Sequence, residues 1–445
     1  MDIASSAAIP DRPTQRLPIR ELLRISLYWL GLSSIFAGVH AILAGRIEFG
    51  GLADKDQAGA TLVGLTIIGA VIAMAVQPTV GSISDYTISR WGRRKPYVFI
   101  GSCLDLVFLL GIALSQDLVA IAAFYALLQF SSNFAQGPFQ GYVPDLVPAP
   151  QVGLASALVG VMQILGVVTG FVIGGIAVST GQFALGIVAL GLVEFVTMLS
   201  VVFRVREGRA AKPREGRTWR AIALEAWGMD VLRERSFLFL VGSRLAILMA
   251  GGILTNLAIF YLARSLGLDQ QAAGDSFTVL VALVAVGTII TVIPAARLSD
   301  RIGRKRVIWI SCAIGAVGMS VVAIAASVPV AMLGSVVYGL SAGIFLAVDW
   351  ALMTDIIPKA SSGRYMGLSN VATASAGVLA LAFGGTLMDV VGDGQGPRAA
   401  LWLAVALFGV GALLLRPVDE RRREDLPDPA SGGPLETAAE RPAGA

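Results

Sequence analysis

Charged residues, histidine and cysteine are all scarce in this sequence of 445 residues. Only 14% of its residues are charged, against about 25% in an average soluble domain, and 56% are hydrophobic. This balance excludes an ordinary soluble fold and predicts a protein embedded in a lipid bilayer. One histidine is too few for most histidine-based metal sites or triads. We therefore expect no metal and no cofactor, and we expect Cys103 and Cys312, both inside apolar runs, to be reduced thiols.

The motifs of catalytic and ATP-driven proteins are also missing. The sequence contains no phosphate-binding P-loop, no nucleophile elbow and no paired acid–base constellation. We therefore expect a protein that is not an enzyme, is not driven by ATP and does not bind nucleic acid.

What the sequence does contain is a series of twelve apolar runs, each of about 18–25 residues and able to cross a ~30 Å hydrocarbon core as a helix. Helices are required because every backbone amide inside the bilayer must be satisfied within its own segment. The predicted fold class is an all-α membrane protein with twelve transmembrane helices. Their approximate spans are 22–43, 58–80, 97–115, 118–138, 154–178, 183–203, 238–263, 276–296, 307–326, 329–352, 366–389 and 399–415.

The second half of the chain repeats landmarks of the first. A basic loop at residues 81–96, GSISDYTISRWGRRKP, recurs in shorter form at residues 296–306 as ARLSDRIGRKR. Other landmarks recur 210 or 211 positions later, namely Gly92 and Gly303, Arg93 and Arg304, Asp145 and Asp355, Pro148 and Pro358, Gly153 and Gly363, and Gly174-Gly175 and Gly384-Gly385. Internal repeats of this kind build many transporter folds. The twelve helices are therefore predicted to form two six-helix bundles related by duplication.

The repeat and the composition together predict the domain organisation. The predicted segments are a disordered arm at 1–20, an N-terminal bundle at 21–203, a linker at 204–235, a C-terminal bundle at 236–416 and a disordered tail at 417–445. Residues 218–232 of the linker alternate at helical spacing and are expected to lie flat on the inner leaflet.

The distribution of lysine and arginine predicts the orientation. Both basic loops fall on the same side of the membrane as the termini, and only Arg46, Lys55, Arg264 and Arg398 fall on the other side. The positive-inside rule then places both termini in the cytoplasm. We expect a multi-pass protein of the inner, or plasma, membrane that is a monomer.

This organisation resembles the major facilitator superfamily, whose signature is a Gly-x-x-x-Asp…Arg-x-Gly-Arg-Arg loop between the second and third spans. A finer resemblance is to the glycoside-pentoside-hexuronide/cation and sucrose symporters. It rests on the long spacing from Asp85 to Arg93, on the stretch Gly137–Leu146 and on the stretch Ala347–Pro358. Two positions depart from the pattern, because Gln140 replaces an arginine of sucrose carriers and Ala296 replaces a glycine of the second loop.

The resemblance implies a gating role for the basic loops. Gly81 is expected to let its helix approach the other half, and Asp85 to face the positive end of a helix there. These contacts would cross between the halves at the cytoplasmic face and hold an outward-open state; the alternative is that the basic residues only anchor the topology. The predicted gating residues are Gly81, Asp85, Arg90, Gly92, Arg93, Arg94 and Asp145 in the first half, and Asp300, Gly303, Arg304, Lys305 and Asp355 in the second.

Ionisable residues inside the spans are candidates for cation coupling. Each costs roughly 2.5–3.5 kcal/mol near the centre of a membrane helix, so it must face a cavity or a partner. Asp105, Glu194 and Asp349 are the predicted cation-coupling acids, with structural pairing as the alternative. Arg244 is left open between binding an anionic substrate and neutralising an acid. His40, near the outer end of the first span, is the least favoured candidate.

Polar and aromatic residues near mid-helix are candidates for substrate binding, because sugars need hydrogen-bonding groups and aromatic platforms. The alternative for each is a hydrogen bond between helices. The predicted substrate-binding residues are Ser33, Ser34, Tyr125, Gln129, Asn133, Gln163, Arg244, Asn256, Tyr338 and Trp350, with Phe130 as a further aromatic candidate.

These observations predict a cation-coupled symporter, with the proton as the expected cation, for a glycoside or similar polar metabolite. A proton-driven exporter is the alternative, because Gly166, Gly170 and Gly174 resemble a signature of drug antiporters in which Phe171 replaces a proline. A non-transporting assembly factor or sensor is a third reading, which the intact loops of both halves disfavour.

Overall fold

The computed structural model describes residues 15–87, 89–207, 235–356 and 362–418. Within these ranges the regular elements are helices and no strand occurs. The helices are α1 Ile19–Ser26, α2 Tyr28–Glu48, α3 Ala58–Asp85, α4 Lys95–Leu114, α5 Leu118–Phe139, α6 Tyr142–Leu146, α7 Val152–Thr180, α8 Phe183–Arg204, α9 Arg235–Phe260, α10 Gln270–Ile302, α11 Arg304–Ile324, α12 Val328–Ile356, α13 Ser362–Val391 and α14 Gly396–Leu414.

The described residues include eleven helical segments that are long and apolar enough to cross a membrane. Residues Ser375–Val391 of α13 form a shorter apolar helix, which completes the predicted set of twelve. Several helices extend beyond their apolar runs, since α3 continues to Asp85 and α10 to Ile302. The last turns of these two helices lie outside the apolar region, so the helices continue through polar residues there.

The helices pack as two bundles of six. In the first half α2 packs against α7 and α8, while α5 packs against α3 and α4. In the second half α12 packs against α10 and α11, while α9 packs against α13 and α14. The predicted duplicated architecture is therefore confirmed. Helix α1 begins at Ile19, inside the predicted N-terminal arm, and the predicted interfacial helix at 218–232 lies outside the described residues.

Small residues allow the closest helix contact of the first half. A Cβ atom added at Gly166 or Gly170 would overlap backbone carbonyl oxygens of α2, and one added at Gly174 would lie 2.7 Å from the Cβ atom of Ala41. This glycine stripe brings α7 against α2, as small residues do in membrane helices. The glycines pack against α2 as the packing interpretation predicts, and the exporter alternative stays open.

The two ends of the molecule differ in chemistry. We call the end that carries residues 85–95 and 300–304 the basic end, and the opposite end the far end. At the basic end Gly92 and Gly303 adopt positive φ angles of 118° and 94°, which residues with a Cβ rarely adopt. Both repeat landmarks thus occupy the same kind of turn. The two bundles contact each other through α3 with α13, α7 with α10, and α2 with α9.

Candidate functional site

An acid–arginine cluster stands at the basic end of the first half. The guanidinium of Arg94 is almost fully buried and donates from Nε to Asp145 Oδ2 at 2.7 Å, from Nη2 to Asp85 Oδ1 at 2.6 Å and from Nη1 to the carbonyl oxygen of Pro138 at 2.8 Å. Arg93 pairs with Asp145 as well. A Cβ atom at Gly141 would overlap the Arg94 guanidinium, so this glycine leaves the room that Arg94 occupies.

Among the described residues these contacts lie within the first half, and the contact of Asp85 with a helix of the other half stays a prediction. Gly81 of α3 faces Gly137 of α5, where an added Cβ atom would lie 3.3 Å from the carbonyl oxygen, so its close neighbour belongs to the same bundle. Asp85 binds Arg94 of its own half, and Arg90 is exposed. The cluster therefore ties α3, α4 and α5 together at the basic end.

The second basic loop repeats the positive-φ glycine of the first at Gly303. Arg304 Nη1 lies 3.5 Å from Asp300 Oδ1, and Asp300 is 69% exposed. Lys305 donates to the carbonyl oxygens of Arg416 and Val418 at 2.6 and 2.8 Å, where its charge complements the carbonyl end of α14. The side chain of Asp355 lies outside the described residues.

At the far end an ion pair joins the two halves, and the sequence patterns did not indicate it. Arg264 donates from Nε and Nη2 to Glu48 Oε2 at 2.8 and 2.6 Å, and Glu48 is 97% buried. Lys55 approaches the other oxygen of Glu48 at 3.7 Å but is 67% exposed. The sequence predicted only that Arg264 and Lys55 lie on the outer side of the membrane. The segments that carry this contact contain no repeated motif that could have revealed it.

The far end also contains two backbone contacts between halves that are related by the internal repeat. A Cβ atom at Gly59 of α3 would overlap the carbonyl oxygen of Gly385 of α13, and one at Gly274 of α10 would lie 2.6 Å from the carbonyl oxygen of Gly175 of α7. Gly385 is 210 positions after Gly175, and Gly274 is 215 positions after Gly59. We call these the paired glycine contacts.

Polar bonds flank both glycine contacts. Asp389 accepts hydrogen bonds from the backbone N–H groups of Gly59 and Ala60 at 3.0 and 2.8 Å, at the N-terminus of α3. On the other side Ser179 donates to Asp275 at 2.6 Å. Asp389 and Ser179 are again 210 positions apart, so the repeat extends to the groups that stabilise each contact.

A cavity of about 10 Å³, room for one water molecule, lies between α2 and α5 of the first half, and its mainly apolar lining includes His40, Tyr125 and Gln129. His40 Nε2 lies 3.1 Å from the hydroxyl of Thr66 on α3, and Gln129 Nε2 donates to the Tyr125 hydroxyl at 2.7 Å. Tyr125 and Gln129 were predicted substrate ligands, whereas His40 was the least favoured candidate. The sequence could not show that three separate helices bring these neutral polar groups together.

A buried ion pair occupies the corresponding helices of the second half. Arg244 of α9 and Asp349 of α12 approach to 3.0 Å between Nη1 and Oδ2, and their side chains are 95% and 96% buried. Arg244 therefore neutralises an acid, which resolves the alternative that the sequence left open. In the repeat, α2 corresponds to α9 and α5 corresponds to α12. Buried polar groups thus lie on the first and fourth long helices of both halves.

The other predicted substrate residues fall into two groups. Ser34 and Asn133 are buried and donate within their own helices, to the carbonyl oxygens of Gly31 and Gln129. Ser33 faces Gly166 in the seam between α2 and α7, and the hydroxyl of Tyr338 sits over Gly251 of α9. These four are placed by helix packing, while Gln163 and Asn256 are half-buried and Phe130 is 43% exposed. The side chain of Trp350 lies outside the described residues.

Asp105 and Glu194 do not line the cavity of the first half. They are fully buried among α2, α4, α5 and α8, with serine and tyrosine hydroxyls as partners. Among the described residues no group of three His, Cys, Asp or Glu side chains could hold a metal ion.

A duplicated twelve-helix membrane bundle with polar groups buried on corresponding helices defines a membrane transport protein rather than an enzyme. The family model described as Major Facilitator Superfamily matches residues 25–274 and 239–439, so the chain belongs to this superfamily. Within it the chain resembles the sucrose-transporter branch.

Matches to curated proteins are local. The chain is 29% identical over 128 residues to sucrose transport protein SUT1 of Oryza sativa subsp. japonica, which is 24% of each chain. It is 31% identical over 84 residues to the minor myo-inositol transporter IolF of Bacillus subtilis, which is 19% of each chain. The alignments thus span about a quarter or less of these relatives.

Matches to solved structures cover nearly the whole chain. A D-xylose-proton symporter aligns with a TM-score of 0.67 and 16% identity over 89% of this chain and 97% of that one. A bacterial homologue of the lysosomal transporter Spinster, in an inward-facing and unoccupied conformation, also gives 0.67, with 15% identity over 89% and 96%. At such identities the likeness establishes the fold.

Proposed function

We propose that this protein is a proton-coupled symporter that carries a neutral polyhydroxylated solute, such as a glycoside or sugar, across the cell membrane by alternating access. The buried pair of Arg244 and Asp349 carries the proposal. The two charges compensate each other, and loss of one partner of a buried pair costs about 3–5 kcal/mol. Protonation of Asp349 removes the charge that it presents to Arg244, which links proton binding to solute or water in the central region.

The same pair favours a proton over a sodium ion. A sodium ion at Asp349 would lie beside the positive charge of Arg244, which repels it at 3.0 Å. A proton instead adds to the carboxylate itself and removes its charge. The membrane potential then contributes about 2.3 kcal/mol for each charge moved through 100 mV.

The polar side chains beside the cavity of the first half support a neutral solute, which needs a larger space than this conformation leaves there. The imidazole, phenol and amide groups, on His40, Tyr125 and Gln129, donate and accept hydrogen bonds without a formal carboxylate or guanidinium. Such groups suit hydroxyls. The named relatives transport sucrose, myo-inositol and xylose, which share this chemistry.

Orientation and conformation complete the proposal. The positive-inside rule assigns the basic end to the cytoplasm, with both termini there. The paired glycine contacts and the Glu48–Arg264 pair then close the outer side, and the acid–arginine cluster braces the first bundle at the inner side. We assign the structure to an inward-facing state of a plasma-membrane transporter that acts as a monomer.

Transport by purified protein in proteoliposomes tests this function. A panel of labelled sugars and polyols is offered with an imposed pH gradient, with and without sodium, while an internal dye reports pH. We expect accumulation of at least one solute, accompanied by proton entry and independent of sodium. Asp349→Asn should abolish accumulation but retain exchange of labelled for unlabelled solute, and Asp56→Asn, at an exposed acid, is the control. Accumulation that survives Asp349→Asn would refute the assignment.

A further inference from the structure

Two buried acidic side chains lie together in the first half, separate from the cavity and from the ion pair of the second half. It consists of Asp105 on α4 and Glu194 on α8, which we call the acid pair, and both side chains have no exposed surface. Ionised carboxylates at membrane depth require a cation, a proton or a full set of donors. The contacts of the acid pair show which of these three requirements the described residues leave unmet.

Half of the carboxylate oxygens have conventional donors. Glu194 Oε1 accepts from the Tyr28 hydroxyl at 2.8 Å and from the Ser102 hydroxyl at 2.7 Å, and the two hydroxyls lie 2.6 Å apart. Asp105 Oδ1 accepts from the hydroxyl of Ser131. These donors fix both carboxyl groups in position from α2, α4 and α5.

The other two oxygens of the acid pair lack a hydrogen-bond partner in the part of the chain that the structure describes. Asp105 Oδ2 and Glu194 Oε2 are buried and have no donor among the described residues, although the two carboxyl groups are within hydrogen-bonding reach. Two carboxylate oxygens are both acceptors, so this contact is repulsive when both acids are ionised. One proton held between them turns the contact into a hydrogen bond and reduces the net charge from two to one.

We propose that Asp105 and Glu194 form a proton-binding site that holds one shared proton between Oδ2 and Oε2. The packed helices present Tyr28, Cys103 and serine hydroxyls to the acid pair, and no cation among the described residues contacts it. A proton is favoured over a metal ion because the neighbouring hydroxyls act as donors to both carboxylates, which leaves too few free oxygens for an oxygen cage.

The position of this site separates it from the coupling pair. Every helix around it, α2, α4, α5 and α8, belongs to the first bundle, so rocking of one bundle against the other leaves its surroundings unchanged. The shared proton is therefore retained through the cycle and holds α4 against α8. This keeps the proton chemistry predicted for both acids and assigns it to the interior of one bundle; it does not depend on the identity of the solute.

Amide substitutions test the shared proton. Glu194→Gln and Asp105→Asn each replace the shared proton with an amide N–H while keeping the other oxygen as an acceptor, so each imitates the protonated pair. The double variant places two amide donors face to face, and it should melt well below either single variant. In purified full-length protein we expect the melting temperature of the wild type to fall as pH rises and the pair loses its proton. Neither single variant should show that fall, and Asp56→Asn should retain it.

Infrared spectroscopy gives an independent readout, which begins with the wild-type protein. The wild type at neutral pH should show the C=O stretch of a protonated buried carboxylic acid, and this band should disappear in Glu194→Gln and in Asp105→Asn. Single variants that melt as low as the double variant would overturn the proposal. So would a wild type without the band, or a melting temperature raised by sodium in the wild type but not in Glu194→Gln.

Discussion

Gly59 of α3 and Gly385 of α13 meet backbone to backbone across the two halves, with no room for a side chain on Gly59. The contact between Gly274 and Gly175 repeats this arrangement on the other side of the molecule. Close approach of this kind requires glycine, because any Cβ atom would separate the helices. The far end is thus closed by tight backbone packing at two places that are related by the internal repeat.

Gly59→Val should open the far end. Overpacking of a tight contact costs about 1–3 kcal/mol, enough to shift an equilibrium between two states about 5- to 150-fold. Spin labels at exposed positions 57 and 390, in a background without native cysteines, should report a longer distance across α3 and α13. Gly64→Val is the matched control, since nothing lies within 4 Å of a Cβ atom there. Equal distances in both variants would contradict the assigned role of Gly59.

Glu48→Gln should also destabilise the closed far end, because it leaves Arg264 partly buried without its carboxylate. Breaking a buried pair costs about 3–5 kcal/mol, whereas an exposed pair contributes about 0–1 kcal/mol. Lys55→Ala, which removes the exposed partner of the same acid, should therefore have little effect. The melting temperature and the label distance across the far end measure both. A larger effect of Lys55→Ala than of Glu48→Gln would reverse this ranking.

Arg94→Lys should lower the melting temperature despite keeping the charge. The planar guanidinium reaches Asp85, Asp145 and the carbonyl oxygen of Pro138 at once, and a single ammonium group cannot span these acceptors. Arg90→Lys, at an exposed position in the same loop, is the control and should melt like the wild type. If the two lysine variants were equally stable, Arg94 would have no special role in the cluster.

Arg244→Gln should destabilise the second half strongly, and addition of Asp349→Asn should restore much of the loss. The single change leaves a buried carboxylate without its cation, at a cost of about 3–5 kcal/mol, while the double change leaves two neutral groups. A double-mutant cycle on melting temperatures measures the coupling between the two positions. Additive losses would show that the contact does not contribute as an ion pair.

The fold was predictable because bilayer crossing demands long apolar helices, and the duplication was visible in landmarks such as Gly92 and Gly303. Contacts between distant helices were not predictable. That Gly81 meets Gly137 in its own half depends on helix rotation, which apolar runs do not encode.

The ion pairs show the same limit. Arg244 and Asp349 are separated by more than a hundred residues, and sequence spacing says nothing about which acid an arginine will reach. His40 was undervalued because a lone histidine near a helix end gives no signal of the cavity that Tyr125 and Gln129 complete. Glu48 was overlooked because a single acid at a helix end is indistinguishable from a surface residue.

The paired glycine contacts restrict how the bundles can move. A rigid body held at two separate points turns only about the line that joins them. While both contacts hold, the bundles are left with one rotation, which spreads or closes the basic end, and access from the far end requires both contacts to part. Such a hinge has a single degree of freedom. Each part of a bundle therefore moves by an amount that grows with its distance from the hinge line.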